Sequence, residues 1–198
     1  MKGSRADVVW SEADEAKFLS VASSQMALAF NLAVWTGQRQ GDLIRLPWTA
    51  YDGQFIRLTQ AKSGRSVAVP VAFPLKAVLD ATPRTCPIMI TSGDNRPYTS
   101  DGFRASWRKA CERAGIKGLT FHDLRGTAVT RMAMAGWNEM GVAAVTGHAL
   151  RDVTSILDKH YYKRDRAIAI GAIRKLEART NSANRTANRS RLSEPKEG

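Results

Sequence analysis

Five short segments of this chain carry residues able to handle a phosphate or a proton. Arg39, in Thr36-Gly-Gln-Arg39, stands three positions before Asp42, and on a helical turn that carboxylate can hold the guanidinium in place. His122 and Arg125, in His122-Asp-Leu-Arg125, fall three apart at the start of a helix, where free backbone amides already favour an anion. His148 follows Thr146-Gly147, and a glycine just past a helix end allows the sharp turn that aims a histidine into a cleft. Lys62 sits at a hairpin tip, where a mobile ammonium can reach into a groove and deliver a proton. His160-Tyr161-Tyr162 lies on a short helix among Lys159, Lys163, Arg164 and Arg166, and because adjacent helical positions point about a hundred degrees apart, only one tyrosine faces a given site.

Taken singly, each segment has an ordinary explanation. Arg39 and Asp42 make a surface pair; His122 hydrogen-bonds at a helix start beside a solvated Arg125; His148 is structural; Lys62 is solvated; one tyrosine is core and the other surface. What the residue types share is affinity for a polyanion, and the composition agrees. The 198 residues hold 30 Lys plus Arg against 18 Asp plus Glu, a net charge of +12. Residues 174–198 hold seven Lys or Arg and three Glu, so the remaining body still carries +8 and the charge is not a tail property alone.

Composition also excludes several classes. An apolar content of 43% suffices for a core, and no collagen-like or wholly disordered chain looks like this. The longest apolar candidate, Met26 to Trp35, is interrupted by Asn31 and is too short for a membrane span. Met1-Lys-Gly-Ser-Arg5 lacks the apolar stretch of a secretory signal and reads as a fragment boundary. Cys86 and Cys111 have no metal-ligand spacing, which suits a reducing cytoplasmic compartment and implies no metal site.

The elements that must position the five segments follow from capping and period. Ser11-Glu-Ala-Asp14 reads as a capping box, with Phe18, Leu19 and Ala22 on one stripe behind it. A second helix, Ser24 to Trp35, carries Met26, Phe30, Ala33 and Val34 inward and stops at Thr36-Gly37; a third runs from Gln40 to Leu46, ended by Pro47. Phe55–Thr59 and Val67–Val71 alternate as two strands around Ala61-Lys-Ser-Gly64, with Pro70 marking an edge strand. Pro74 to Asp80 reads as helix, Ile88–Ile90 as a short strand, and Thr99 to Arg113 as a helix with Phe103, Trp107 and Ala110 inward. The last third is all helix: His122 to Ala135, a helix that Asn138 caps, Trp137 and Val142 staple and Gly147 closes, one from Asp152 through Tyr161, and one from Asp165 through Leu176. The expected class is mixed α+β, mostly helical, with a small antiparallel β-hairpin at one edge. From about Thr180 the chain is polar and reads as a flexible tail.

The order of the pieces, TGQRQGDL, a hairpin lysine, HDLRGTAVT, TGH and a late tyrosine, resembles the motif series of the tyrosine recombinases, and the chain is similar to a phage-type integrase catalytic domain from about Val9 to Ile173. The resemblance implies that Arg39, Arg125 and His148 bind the scissile phosphate with His122 beside them, that Lys62 is the general acid, that Asp42 supports Arg39, and that Tyr161, with Tyr162 as the alternative, is the nucleophile. It further implies a catalytic domain over residues 1–178 without the family's N-terminal DNA-binding domain, and a basic disordered tail over 179–198. Double-stranded DNA is the implied partner, with a homo-tetramer on paired sites, accessory DNA-bending or directionality factors, and no metal, cofactor or membrane. Two features depart from the commonest pattern. His148 and Tyr161 lie thirteen positions apart rather than about nine, and Gly126 stands where many relatives have a larger polar residue.

These residue types suit strand exchange. A five-coordinate phosphorus carries extra charge on its non-bridging oxygens, and fixed guanidinium forks stabilise that charge more than the ground state's. A phenol with a free pKa near 10 becomes a nucleophile where cations favour phenolate and His122 takes its proton. Lys62 then protonates the departing 5′-oxygen. The competing readings are a non-enzymatic DNA-binding regulator, since RMAMAGWNEMGVAAVTGH reads as helix, turn, helix, and a metal-dependent nuclease, for which the carboxylates are scattered. Because a lysine cannot reproduce a bidentate fork, Arg39→Lys and Arg125→Lys should each slow strand cleavage far more than they weaken DNA binding; single-turnover cleavage beside a binding titration measures both.

Overall fold

Ser11 opens the first helix of a computed structural model that describes residues 8–161 and, beyond them, Ile173, Glu177 and Thr180. Its hydroxyl accepts from the Asp14 amide at 3.2 Å while the Asp14 carboxylate accepts from the Ser11 amide and hydroxyl, so the capping box forms and starts α1 (Glu12–Val21). Only Phe18 of the expected stripe is fully buried; Leu19 stays exposed and Ala22 is partly covered, because α1 touches the body along a single line.

Helix α2 (Ser24–Thr36) buries residues around most of its circumference, including Leu28, Ala29 and Leu32 as well as the expected Met26, Phe30, Ala33 and Val34, and leaves only the side of Ala27, Asn31 and Trp35 partly open. It is therefore the central rod around which the other helices pack, including α4 (Phe73–Ala81), α5 (Ser100–Arg113) and α6 (Asp123–Met134). Trp107 of α5 sits at the heart of an aromatic cluster, 4.4 Å from Phe18 and 4.7 Å from Phe121 between ring centroids, with Trp10, Phe30 and Phe103 around it. Trp10 fastens the incoming chain to this core: its amide donates to Thr127 Oγ1 and its indole to the Thr120 carbonyl.

Helix α3 is shorter than expected, Gln40–Leu43, and a 3-10 turn covers Trp48–Ala50. The Leu46 amide bonds back to Leu43 in a tight turn before Pro47, so the backbone leaves helical geometry ahead of the proline. The hairpin pairs β1 (Phe55–Thr59) with β2 (Ser66–Pro70), Phe55 opposite Pro70 and Thr59 opposite Ser66. Val67 and Val69 turn inward onto Val145 of α7 (Glu139–Thr146), which packs the sheet against the helical body. Ile88–Ile90 is not a strand: Ile88 makes one isolated bridge to Pro47, and Met89 and Ile90 are simply core.

Helices α6, α7 and α8 (Leu150–Tyr161) share a second cluster of Val129, Ala133, Val142, Ala143, Val153 and Leu157. Asp152 lies in the first turn of α8 and does not cap it, since the helix opens two residues earlier at Leu150. Gly126 leaves α6 regular, with an ordinary 3.9 Å separation between a Cβ there and the Val8 carbonyl. Tyr162, most of the stretch from Asp165 to Leu176 and nearly all of the tail from residue 179 lie outside the described residues. No described helix is long and apolar enough to cross a membrane.

Trp107→Ala should cost about 3–5 kcal/mol of stability, because it empties the centre of the aromatic cluster. Trp107→Phe should cost under about 2 kcal/mol, since the indole N–H is buried without a partner and removing it relieves an unmade bond. Urea unfolding of both variants tests the pair.

Candidate active site

Three element ends meet at Arg125, which lies in the first turn of α6 and is 4% exposed. Its Nη1 donates to the Gly37 carbonyl at the end of α2 and, at 2.8 Å, to the Thr146 carbonyl at the end of α7. Its Nε donates to His148 Nε2 at 3.0 Å. Its Nη2 is buried and has no hydrogen-bond partner. Burial and the neighbouring Arg39 push this guanidinium down to about 9, with Asp42 and Asp152 pulling the other way, so it stays charged at neutral pH.

Both helix ends reach Arg125 through left-handed glycines. Gly37 has φ +64°, and a Cβ there would stand 2.7 Å from Thr146 Cγ2. Gly147 has φ +67°, and a Cβ there would stand 2.4 Å from Gln60 Nε2. The glycines are needed twice, for the backbone turn and for the close approach. The preceding threonines spend their hydroxyls on the helix behind them, Thr36 on Leu32 and Thr146 on Val142.

His148 is held as a neutral ring. Because Nε2 accepts from Arg125, Nδ1 carries the proton and donates to Thr146 Oγ1 at 2.8 Å, an assignment made from the bonding network. Burial, then Arg125, Arg39 and His122, push its pKa down to about 3.

Arg39, the N-cap of α3, donates from Nη1 to Gln60 Oε1 at 3.0 Å. The expected support from Asp42 takes another form. The Asp42 carboxylate, 8% exposed, accepts from the Ala61 amide at 2.9 Å, next to Lys62, and makes no bond to Arg39; its second oxygen is buried without a partner. The acidic residue thus anchors the hairpin turn. Lys62 is exposed at that turn. His122 is exposed as well and makes no capping bond with its side chain, whereas buried Asp123 closes the turn before α6 by accepting from the Thr120 amide and hydroxyl. His122 and Arg125 thus differ in depth, the histidine exposed and the arginine buried, although His122 stands close enough to His148 to act on its charge. Tyr161 ends α8, and the unbroken helix carries its backbone about 17 Å along the axis from Leu150.

Two residues of the cluster, Gln38 and Gln60, escaped sequence reasoning, and Thr146 was legible only as part of a helix end; all three are essentially buried. Gln60 Nε2 donates to Gln38 Oε1 at 2.6 Å and to the Thr146 carbonyl at 2.9 Å, and Gln38 Nε2 donates to the Val145 carbonyl at 2.8 Å. Gln38 stands between two helices and Gln60 between a strand and a turn, places where a glutamine reads as solvated. The only signal was the glycine at 147, which announces close approach without saying to what.

A profile of the phage integrase family matches residues 11–165. The shufflon-specific DNA recombinase of Escherichia coli is 35% identical over 122 residues, covering 60% of this chain and 30% of that protein. A putative integrase/recombinase of Haemophilus influenzae is 30% identical over 154 residues, covering 75% of this chain and 47% of the relative. The chain thus spans less than half the length of these relatives. Among solved structures, XerA recombinase shares the fold with a TM-score of 0.66 at 19% identity, over 83% of this chain and 66% of that one. The lambda integrase catalytic core gives 0.61 at 25% identity, over 71% and 91%. A lambda integrase tetramer bound to a Holliday junction gives 0.59 at 25% identity, over 72% and 47%.

Since the folded His148 binds a proton only near pH 3 while the unfolded ring does so near 6.5, the native state carries fewer protons between those values, and stability falls as pH drops through that window. Nitrogen-15 ring spectra should show the Nδ1–H tautomer down to about pH 4. Relative to His148→Gln, the parent should lose more stability between pH 7 and 4; protonation near 6.5 in the folded chain would contradict this.

Proposed function

Because the chain belongs to the phage integrase family, we propose that it cuts and rejoins double-stranded DNA as the catalytic domain of a site-specific recombinase. One observation carries the reading: the buried, unpartnered Nη2 of Arg125 beside Arg39, two cations whose hydrogen-bonding partners are neutral. A buried donor left unmade is costly unless something binds it, and a phosphate oxygen fits both guanidinia.

In this reading Arg39 and Arg125 hold the non-bridging oxygens of the scissile phosphate, with His148 fixing the Arg125 fork. Tyr161 Oη attacks phosphorus, its proton passes to His122, the bond to the 5′-oxygen breaks, and Lys62 delivers a proton to that oxygen. The product is a 3′-phosphotyrosine that keeps the ester's energy for rejoining, so the cycle consumes neither water nor a nucleotide. Tyr161 stands at the last position of α8 and serves the cluster of its own chain or that of another copy; a tetramer on paired sites supplies such copies. The comparisons lend nothing to a non-enzymatic regulator.

Incubation with a library of nicked duplexes, followed by denaturation, should give a DNA-linked protein band without added metal. Tyr161→Phe should abolish it and Tyr162→Phe should leave it. A band that survives in Tyr161→Phe, or free cleaved ends that depend on magnesium, would overturn the proposal.

A further inference from the structure

Gln60 is fully buried at the end of β1 and uses every hydrogen-bonding capacity an amide side chain has. Its Oε1 accepts from Arg39 Nη1 and from Ser63 Oγ, both at 3.0 Å. Its Nε2 donates to Gln38 Oε1 and to the Thr146 carbonyl. Rotating the amide by half a turn would set donors against donors and acceptors against acceptors, so one orientation alone satisfies the site. A glutamate could not donate to the two facing oxygens, a lysine could not accept, and an asparagine is a methylene short.

The four partners belong to different parts of the site. Arg39 and Gln38 stand at the end of α2, Thr146 at the end of α7 next to His148, and Ser63 in the hairpin turn one residue from Lys62. The Gln60 main chain closes the same turn, its amide donating to the Arg65 carbonyl and its carbonyl accepting from Gly64. Two further bonds brace the hairpin against the cluster: the Ala61 amide to Asp42, and Arg65 Nη1 to the His148 carbonyl at 2.6 Å. Lys62 is thus the exposed member of a turn hung from buried anchors.

We infer that Gln60 is a positioning residue that sets where Lys62 stands relative to the phosphate held by Arg39 and Arg125, and so controls protonation of the leaving oxygen. The inference rests on the recombinase reading of the site. It also explains Gly147 further, since a side chain there would occupy the space of the Gln60 amide.

The test compares two substrates, one with the natural 5′-oxygen at the scissile position and one with bridging sulfur, whose thiolate leaves without a proton because a thiol is far more acidic than an alcohol. On the oxygen substrate, Gln60→Met should slow single-turnover adduct formation about a hundredfold, in the range of lost general acid catalysis, with DNA affinity within about threefold. On the sulfur substrate its rate should return to within a few-fold of the parent's, as it should for Lys62→Ala. Ser63→Ala, an exposed change that removes the hairpin's bond to the same oxygen and a long 3.5 Å bond from the Arg65 amide within the turn, should give a several-fold version of the same pattern and serves if Gln60→Met does not fold. Equal slowing on both substrates, or no slowing on oxygen, overturns the role of Gln60 while the recombinase reading stands. An adduct absent from the parent on both substrates overturns that reading, and this inference with it.

Discussion

The structure turns on one buried cation held by neutral oxygens. Placing a guanidinium at 4% exposure costs several kcal/mol unless its donors are met. Here two are met by carbonyls at the ends of α2 and α7, where the helix dipoles present their negative ends. Carbonyls satisfy hydrogen bonds without cancelling charge. Arg125 is therefore solvated by the fold and keeps one buried donor, Nη2, without a hydrogen-bond partner.

The same restraint runs through the rest of the cluster. His148, pressed between burial and two arginines, is neutral. Gln60 meets Arg39 with an amide. Asp42, the carboxylate at hand, directs one oxygen to a backbone amide in the hairpin. The result is two positive charges whose hydrogen-bond partners are all neutral. The bonds that leave these two charges uncancelled also bind the cluster's pieces together, so the electrostatic state and the mechanical one depend on the same side chains.

Much of this frame was legible in local patterns. The capping box at Ser11, the glycine stop after Thr36, the alternation of the hairpin and the inward face of α5 are short-range features, and each formed at or near its expected place. Where the reading went astray, a distant contact had intervened or a turn had tightened. Helix α3 gave way before Pro47 because the chain bends at Leu46. Ile88–Ile90 became core with a single isolated bridge in place of a strand. Asp42, three residues from Arg39, turned instead to Ala61, nineteen positions away.

The one-dimensional chain settled which residue types and capping signals were present, since charge, period and turn chemistry are properties of neighbours. The threonine-glycine pairs at 36–37 and 146–147 announced two abrupt helix ends. That these ends face each other across Arg125, and that a glutamine indistinguishable from a surface residue fills the space between them, was decided only by packing. Hydrogen-bond partners 86 and 107 residues apart are brought within bonding distance by the shared core of α2, α6 and α7, and no local preference encodes that meeting.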